Sequence, residues 1–241
     1  MNGTLILAKA EIGRLWRNKR YFLFTLLIPV VLYLAVGKTK STAYGTSFGV
    51  VYMIAMGTMG AFSGALNGNA IRISQEKKDG WIRQLRLTAL PASSYVVAKI
   101  IASMATTVPS VVIVLLLGRF YGGIHLPAGH WLVIAVTMWF GATIFAALAV
   151  AIGYRFAPDQ AQPVTMIVYF AFAVLGGLWF PLGGVMQKIG EGLPTYAVVR
   201  ICSDVVSGAS VPAYLVAALI AWLAVFAALA TLAVRTTAES I

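Results

Sequence analysis

Residues 72 to 91 read RISQEKKDGWIRQLRLTALP, and seven charged side chains crowd into them: Arg72, Glu76, Lys77, Lys78, Asp79, Arg83 and Arg86. Elsewhere the residues able to do chemistry are sparse and badly spaced for it. His125 and His130 stand five apart among prolines and glycines, which does not place two imidazoles on one metal. No two carboxylates are placed as an acid–base pair, and Asp204 and Glu191 read as surface charges or caps before the last apolar run. No GxxxxGK[ST] loop occurs, so this chain has no phosphate cradle of its own. The lone Cys202 cannot close an internal disulfide. Catalysis within the chain, an intramembrane enzyme included, is therefore disfavoured. The charged stretch is the feature that needs an explanation.

Its surroundings are apolar. Of the 241 residues, 60% are hydrophobic and 10% charged, against about 25% charged in soluble domains. The mean hydropathy is +0.88. A soluble globule of that composition would expose large apolar patches. The chain reads instead as a single all-α membrane domain, residues 1–241, with six spans of roughly 20 residues each. Residues 1–20 form an amphipathic interfacial helix, with Leu5, Ala8, Ile12, Leu15 and Trp16 on one face and Lys9, Arg14 and Arg17 on others.

The expected spans are Tyr21–Gly37, the uncharged run between Lys40 and Arg72, Lys99–Leu117, Trp131–Tyr154, a fifth from Pro163 and a sixth over Ala213–Val234. The loop RFAPDQAQP separates the fourth from the fifth. In the second span, Gly57, Gly60, Ser63 and Gly64 favour close helix packing. The segment 181–212 is broken by Pro181, Pro194 and several glycines, and reads as short re-entrant outer helices.

The net charge of +11 follows loop bias rather than nucleic-acid binding. One set of loops carries thirteen cations and the other five, Lys38, Lys40, Arg119, Lys188 and Arg200. The richer set is expected to be cytoplasmic, with both termini.

The span centres hold no ionisable residue, which disfavours a self-contained channel or secondary carrier, because an ion-coupled path needs a titratable site. Lys99 sits at a span end, where it is expected to snorkel. Energy must then come from a partner, and the coupling segment 71–94 is the place for the contact. Asp79 reads as an N-cap, followed by the helix GWIRQLRLTAL with Trp81, Ile82, Leu85 and Ala89 on one face. Anionic lipid alone would explain Arg83 and Arg86. It would not explain Glu76 and Asp79, so the mixed cluster favours a protein.

The ordered set of features resembles the permease subunits of type-2 ABC transporters, bacterial exporters of drugs, antibiotics and polysaccharides. In QEKKDGWIRQLRLTALPASSYVVAK the positions Glu76, Gly80, Leu85, Leu87, Pro91, Tyr95 and Lys99 match the family pattern. In GGLWFPLGGVMQKIGEGLPTYAVVR the matches are Pro181, Pro194 and Tyr196. The family's R-E-R-G is replaced by Lys77, Lys78 and Asp79 between Glu76 and Gly80.

The resemblance implies a multi-pass protein of a bacterial cell membrane. It would work as a dimer with a second permease copy, homo- or heterodimeric. It implies a separate ATP-binding subunit holding ATP and Mg, with no cofactor on this chain. The docking residues would be Glu76, Lys77, Lys78, Asp79, Gly80 and Arg83. A substrate path is expected past Gly57, Gly60, Ser63, Trp179, Phe180 and Pro181, whose lack of charge suits an amphipathic or lipid-like cargo such as a drug or antibiotic.

The topology is checked with single cysteines in a Cys202→Ser background. Cysteines at Ser41 and Gly129 should react with an impermeant reagent from outside. Cysteines at Ser74 and Ser240 should not, and reversed labelling at the second pair would invert the orientation.

Overall fold

The computed structural model describes residues 3–17, 19–81, 84 and 92–239. The helices among them are α1 (Gly3–Trp16), α2 (Lys19–Val36), α3 (Phe48–Lys78), α4 (Ala92–Phe120), α5 (Ala128–Arg155), α6 (Pro158–Leu175), α7 (Gly184–Gly190), α8 (Pro194–Ser207) and α9 (Ala213–Glu239). A two-residue-strand hairpin, β1 (Thr42–Ala43) and β2 (Thr46–Ser47), joins α2 to α3. Ile82, Arg83, Leu85, Arg86, Leu87, Ala89 and Pro91 of the expected coupling helix lie outside the described residues, as does Ser240.

Long uninterrupted helices are what an apolar chain must form in lipid, where every backbone N–H and C=O needs an internal partner. Pro29 and Pro109 are accommodated inside α2 and α4. Among the described residues, four helical stretches are long and apolar enough to cross a membrane: Phe48–Lys78, Tyr95–Phe120, Ala128–Arg155 and Ala213–Thr236. The other two expected spans correspond to α2, whose apolar part is the shorter Thr25–Val36, and to the 18-residue α6.

Three boundaries differ from the sequence reading. The second span, expected over the uncharged run between Lys40 and Arg72, yields its first residues to the hairpin and continues as α3 to Lys78. The loop expected over residues 155–163 shrinks to Phe156 and Ala157, because α6 starts at Pro158. Proline is tolerated in a first helical turn, and Asp159 there suits the positive end of the helix dipole. The third span starts before Lys99, at Ala92, so Lys99 lies two turns inside α4.

The long helix α3 is the central pillar. In its most apolar window 94% is buried within the chain, against 17% for α9, so α3 is walled by protein while α9 presents a broad apolar face outward. α3 packs against α2, α4, α5 and α6, and α9 lies along α5. Glycines set these distances: a Cβ on Gly153 of α5 would lie 2.6 Å from Ile73 Cβ and 2.9 Å from the Ala70 carbonyl of α3. Rings fill the wider gaps. The Phe62 ring centre lies 3.8 Å from that of Phe145 at a tilt of 40°, and Phe172 meets Phe145 at 5.3 Å and Trp222 at 5.5 Å edge-on, each pair contributing about 0.5–1.5 kcal/mol beyond area burial.

The segment after α6 forms two short helices, α7 and α8, neither long enough to cross. The hairpin locks it. Tyr44 and Gly45 both take positive φ, 49° and 77°, which makes the two-residue turn whose twist suits a hairpin. Tyr44 Oη then accepts the Leu182 N–H at 2.9 Å, its ring meets Tyr196 edge-on at 6.1 Å, and Arg200 lies 5.2 Å over it. Burial raises the Tyr44 phenol above its ordinary pKa, and the Leu182 bond and the Arg200 charge work against that rise. Asp204, expected at the surface, is buried and paired with Arg200 at 3.0 Å, because α8 turns that face inward.

Two tests follow from this packing. Gly153→Val should destabilise the chain by about 1–3 kcal/mol through overpacking, seen as a lower Tm in detergent, whereas Gly129→Val, with open space around it, should not. Ser74 is fully buried, so a silent cysteine there reports packing rather than sidedness. The exposed Gln75 is the position to label instead.

Candidate functional site

The charged stretch begins on α3, and its first members face inward. Glu76 is 8% exposed, Lys99 on α4 2%, and Glu11 on α1 2%. The Lys99 ammonium lies 2.7 Å from Glu76 Oε2 and 2.9 Å from Glu11 Oε2, bridging two carboxylates from two other helices. Arg72, one turn before Glu76, reaches Glu76 Oε1 at 3.1 Å and Glu11 Oε2 at 2.7 Å. Tyr95 Oη donates to Glu76 Oε2 at 2.7 Å. Arg14 closes the group from the exposed side, 3.5 Å from Glu76 and 3.8 Å from Glu11.

Each helix supplies its members by its own periodicity. Glu11 and Arg14 are three apart on α1, Arg72 and Glu76 four apart on α3, and Tyr95 and Lys99 four apart on α4, so each pair shares one face. Three cations surround two anions, and the charge-assisted bonds offset much of the cost of taking these groups out of water. Lys99 does not snorkel as expected. Two carboxylates inside the bundle hold it better than a distant headgroup layer would.

Beyond Glu76 the chain turns outward. Lys77 Nζ donates to the Tyr154 carbonyl in the last turn of α5, a favourable place for a cation. Lys78 and Asp79 are exposed. Asp79 does not start a helix as expected; it ends α3, with its N–H on the Gln75 carbonyl at 2.8 Å and its Oδ1 accepting from Gln75 Nε2 at 2.9 Å. Gly80 follows with φ +74°, the left-handed conformation that closes helices, and its carbonyl accepts the Gln84 N–H at 3.0 Å. Trp81 lies 5.7 Å beneath the Arg14 guanidinium. Arg83 lies outside the described residues.

The docking set is thus divided: Glu76 is committed inside the chain, and Lys78 and Asp79 face out. Glu11 is the member that sequence reasoning missed. Its signal was present, since Glu11 is the sole acidic residue in residues 1–20 and stands three before Arg14. On α1, Ala8 of the expected apolar face is buried together with Glu11, while Leu5 is exposed.

The residues of the expected substrate path separate into two places. Gly57 and Gly60 fill interior contacts: a Cβ on Gly57 would lie 1.9 Å from Met138 Cε, and one on Gly60 3.3 Å from Pro29 Cγ. Ser63 accepts a hydrogen bond from Asn67 at 3.3 Å. Trp179 and Phe180 are exposed, with Pro181 beside them, and Trp179 lies 6.0 Å from Phe170 of α6. His125 Nδ1 sits 2.7 Å from the Gly123 carbonyl, a local turn contact.

The sequence that builds this almost uncharged pillar helix, the ionic cluster at its end and the charged turn beyond is similar to known proteins. The model of the ABC-2 family of transporter proteins covers residues 37–235. The chain belongs to the ABC-2 transporter family. A putative transport permease, YvfS of Bacillus subtilis (strain 168), is 29% identical over 206 residues, 83% of this chain and 84% of its own length. The protein is accordingly a multi-pass membrane permease. Arg72, Glu76 and Lys99 lie within the matched range and Glu11 outside it.

Removing the central, most buried cation of this permease leaves the two buried carboxylates to Arg72 and the half-exposed Arg14 alone. Lys99→Met should cost about 3–5 kcal/mol, read as reduced membrane level and a lower Tm. Adding Glu11→Gln to Lys99→Met should recover part of that loss, since one buried charge then vanishes with its partner.

Proposed function

We propose that this permease is the membrane subunit of an exporter, driven by ATP hydrolysis on a separate ATP-binding subunit that docks at residues 77–80. The observation that carries this reading is the outward turn of Lys78, Asp79 and Gly80 directly beyond Glu76, whose side chain is fixed in the bundle. A partner pressing on that turn acts on a rigid helix end rather than on a loose loop. Exposed charges of both signs suit a protein surface better than anionic lipid, which attracts cations alone.

In the full reading α2 and α6 complete six crossings with both termini cytoplasmic, and the segment of α7 and α8 dips into the outer leaflet of a bacterial cell membrane. A second permease copy covers part of the outward apolar surface. The cargo is amphipathic or hydrophobic and leaves past Trp179 and Phe180, which are exposed and aromatic and lie in a stretch without charge between Asp159 and Lys188. Gly57 and Gly60 act as packing contacts rather than as path lining.

Copurification of the ATP-binding subunit tests the docking. Glu76→Lys is a poor probe, because it would place another cation beside Lys99 and Arg72 and disturb the chain itself. The exposed pair Lys78→Glu with Asp79→Lys should lower copurification by about tenfold or more at unchanged membrane level, as expected where contact charges are reversed. Full copurification and transport by that variant would overturn the docking assignment. Transport that saturates with a small inorganic ion and ignores hydrophobic drugs would overturn the cargo class.

A further inference from the structure

Glu11 is not needed by a helix that merely floats on headgroups. Such a helix keeps its carboxylates in water, yet Glu11 is 2% exposed and lies 2.9 Å from Lys99 and 2.7 Å from Arg72. Among the described side chains of α1, Ala8 is buried against the bundle, and Leu7 packs partly on the group of Ile73, Tyr95 and Tyr154. Leu5 and Ile6, the larger apolar side chains nearby, are exposed. α1 therefore meets the bundle along α4 and through one carboxylate bound to α3 and α4 together.

The same Lys99 that holds Glu11 holds Glu76, whose next residues form the 77–80 turn. A displacement of that turn shifts Glu76, and the shared ammonium obliges Glu11 to follow, because separation would leave buried charges unpaired. We infer that Glu11 and Lys99 form a joint that makes α1 move as one body with the ends of α3 and α4, and that Glu11 is a positioning residue for transport. The use of the joint rests on the docking and transport reading above, whereas the joint itself rests on the ion pairs alone.

The test uses the full-length chain in lipid nanodiscs, in a Cys202→Ser background, with nitroxides on Ala10→Cys of α1 and Val97→Cys of α4, both exposed positions. The joint is cut by Glu11→Leu with Lys99→Met, which removes one carboxylate and one cation together and leaves the balance of Arg14, Arg72 and Glu76 unchanged. The unsubstituted chain and Lys99→Arg should give one narrow distance distribution. The double variant should give a broadened one. Per molecule of chain in the membrane it should also transport at least tenfold more slowly, with copurification of the ATP-binding subunit retained.

An unchanged narrow distribution in the double variant would mean that packing alone holds α1, and sinks the joint. Broadening with transport at the full rate would sink the positioning role. If the unsubstituted chain performs no ATP-driven transport while its distances respond as expected, the joint stands and the transport reading fails. Should the double variant not reach the membrane, Glu11→Gln is read on the same two measurements, and the same outcomes decide.

Discussion

One ammonium group, that of Lys99, is held by carboxylates from two different helices in a place with almost no water. A charge so desolvated is tolerable only when paired and hydrogen-bonded, and the pairs must come from wherever the fold brings them. This single requirement draws α1, α3 and α4 to one point. It sets where α1 crosses the bundle and orients the last turn of α3. Tyr95 and Arg72 add donors to Glu76, so that carboxylate is held from several directions rather than by one pair.

The opposite end of α3 is held by different physics. Phe48 continues from a hairpin whose turn residue, Tyr44, sits in a left-handed conformation that most side chains avoid. The contacts of its phenol and ring with Leu182, Tyr196 and Arg200 over-determine that conformation and tie the start of α3 to the segment of α7 and α8. Tyr121 Oη on the Leu34 carbonyl at 2.9 Å, and Lys38 4.0 Å over the Tyr121 ring, add a second tie between α2 and α4.

Between these ends α3 runs 31 residues, roughly 46 Å at helical rise, packed by glycine contacts and by tilted and edge-on rings. Close packing of this kind transmits displacement because interiors have little free volume to absorb it. A helix with one end in an ionic cluster and the other in an aromatic clasp suits a protein that couples events on two sides of a membrane. The sparse charge is consistent with that division. Ionised groups stand at the ends, where water or partners reach them, and the span centres are left to shape and dispersion.

The amino-acid sequence by itself determined the class and the rough map. Runs without charge between Lys40 and Arg72, and from Ala213 to Val234, admit few structures other than membrane helices, since lipid offers the backbone no hydrogen-bond partner. The ABC-2 relationship was also legible, from Glu76, Gly80, Pro91 and Lys99 in order. Asp79, Lys99 and Asp204 were misread for a common reason. Each was assigned a role from its immediate neighbours, whereas each takes its place from a boundary or a face that packing decides. Only the tertiary structure could decide that Glu11 meets Glu76 through Lys99. Those residues are separated by 65 and 23 positions, and a local pattern carries no information about which faces converge. The convergence was decided by the need to pair charges that the surrounding apolar helices had removed from water.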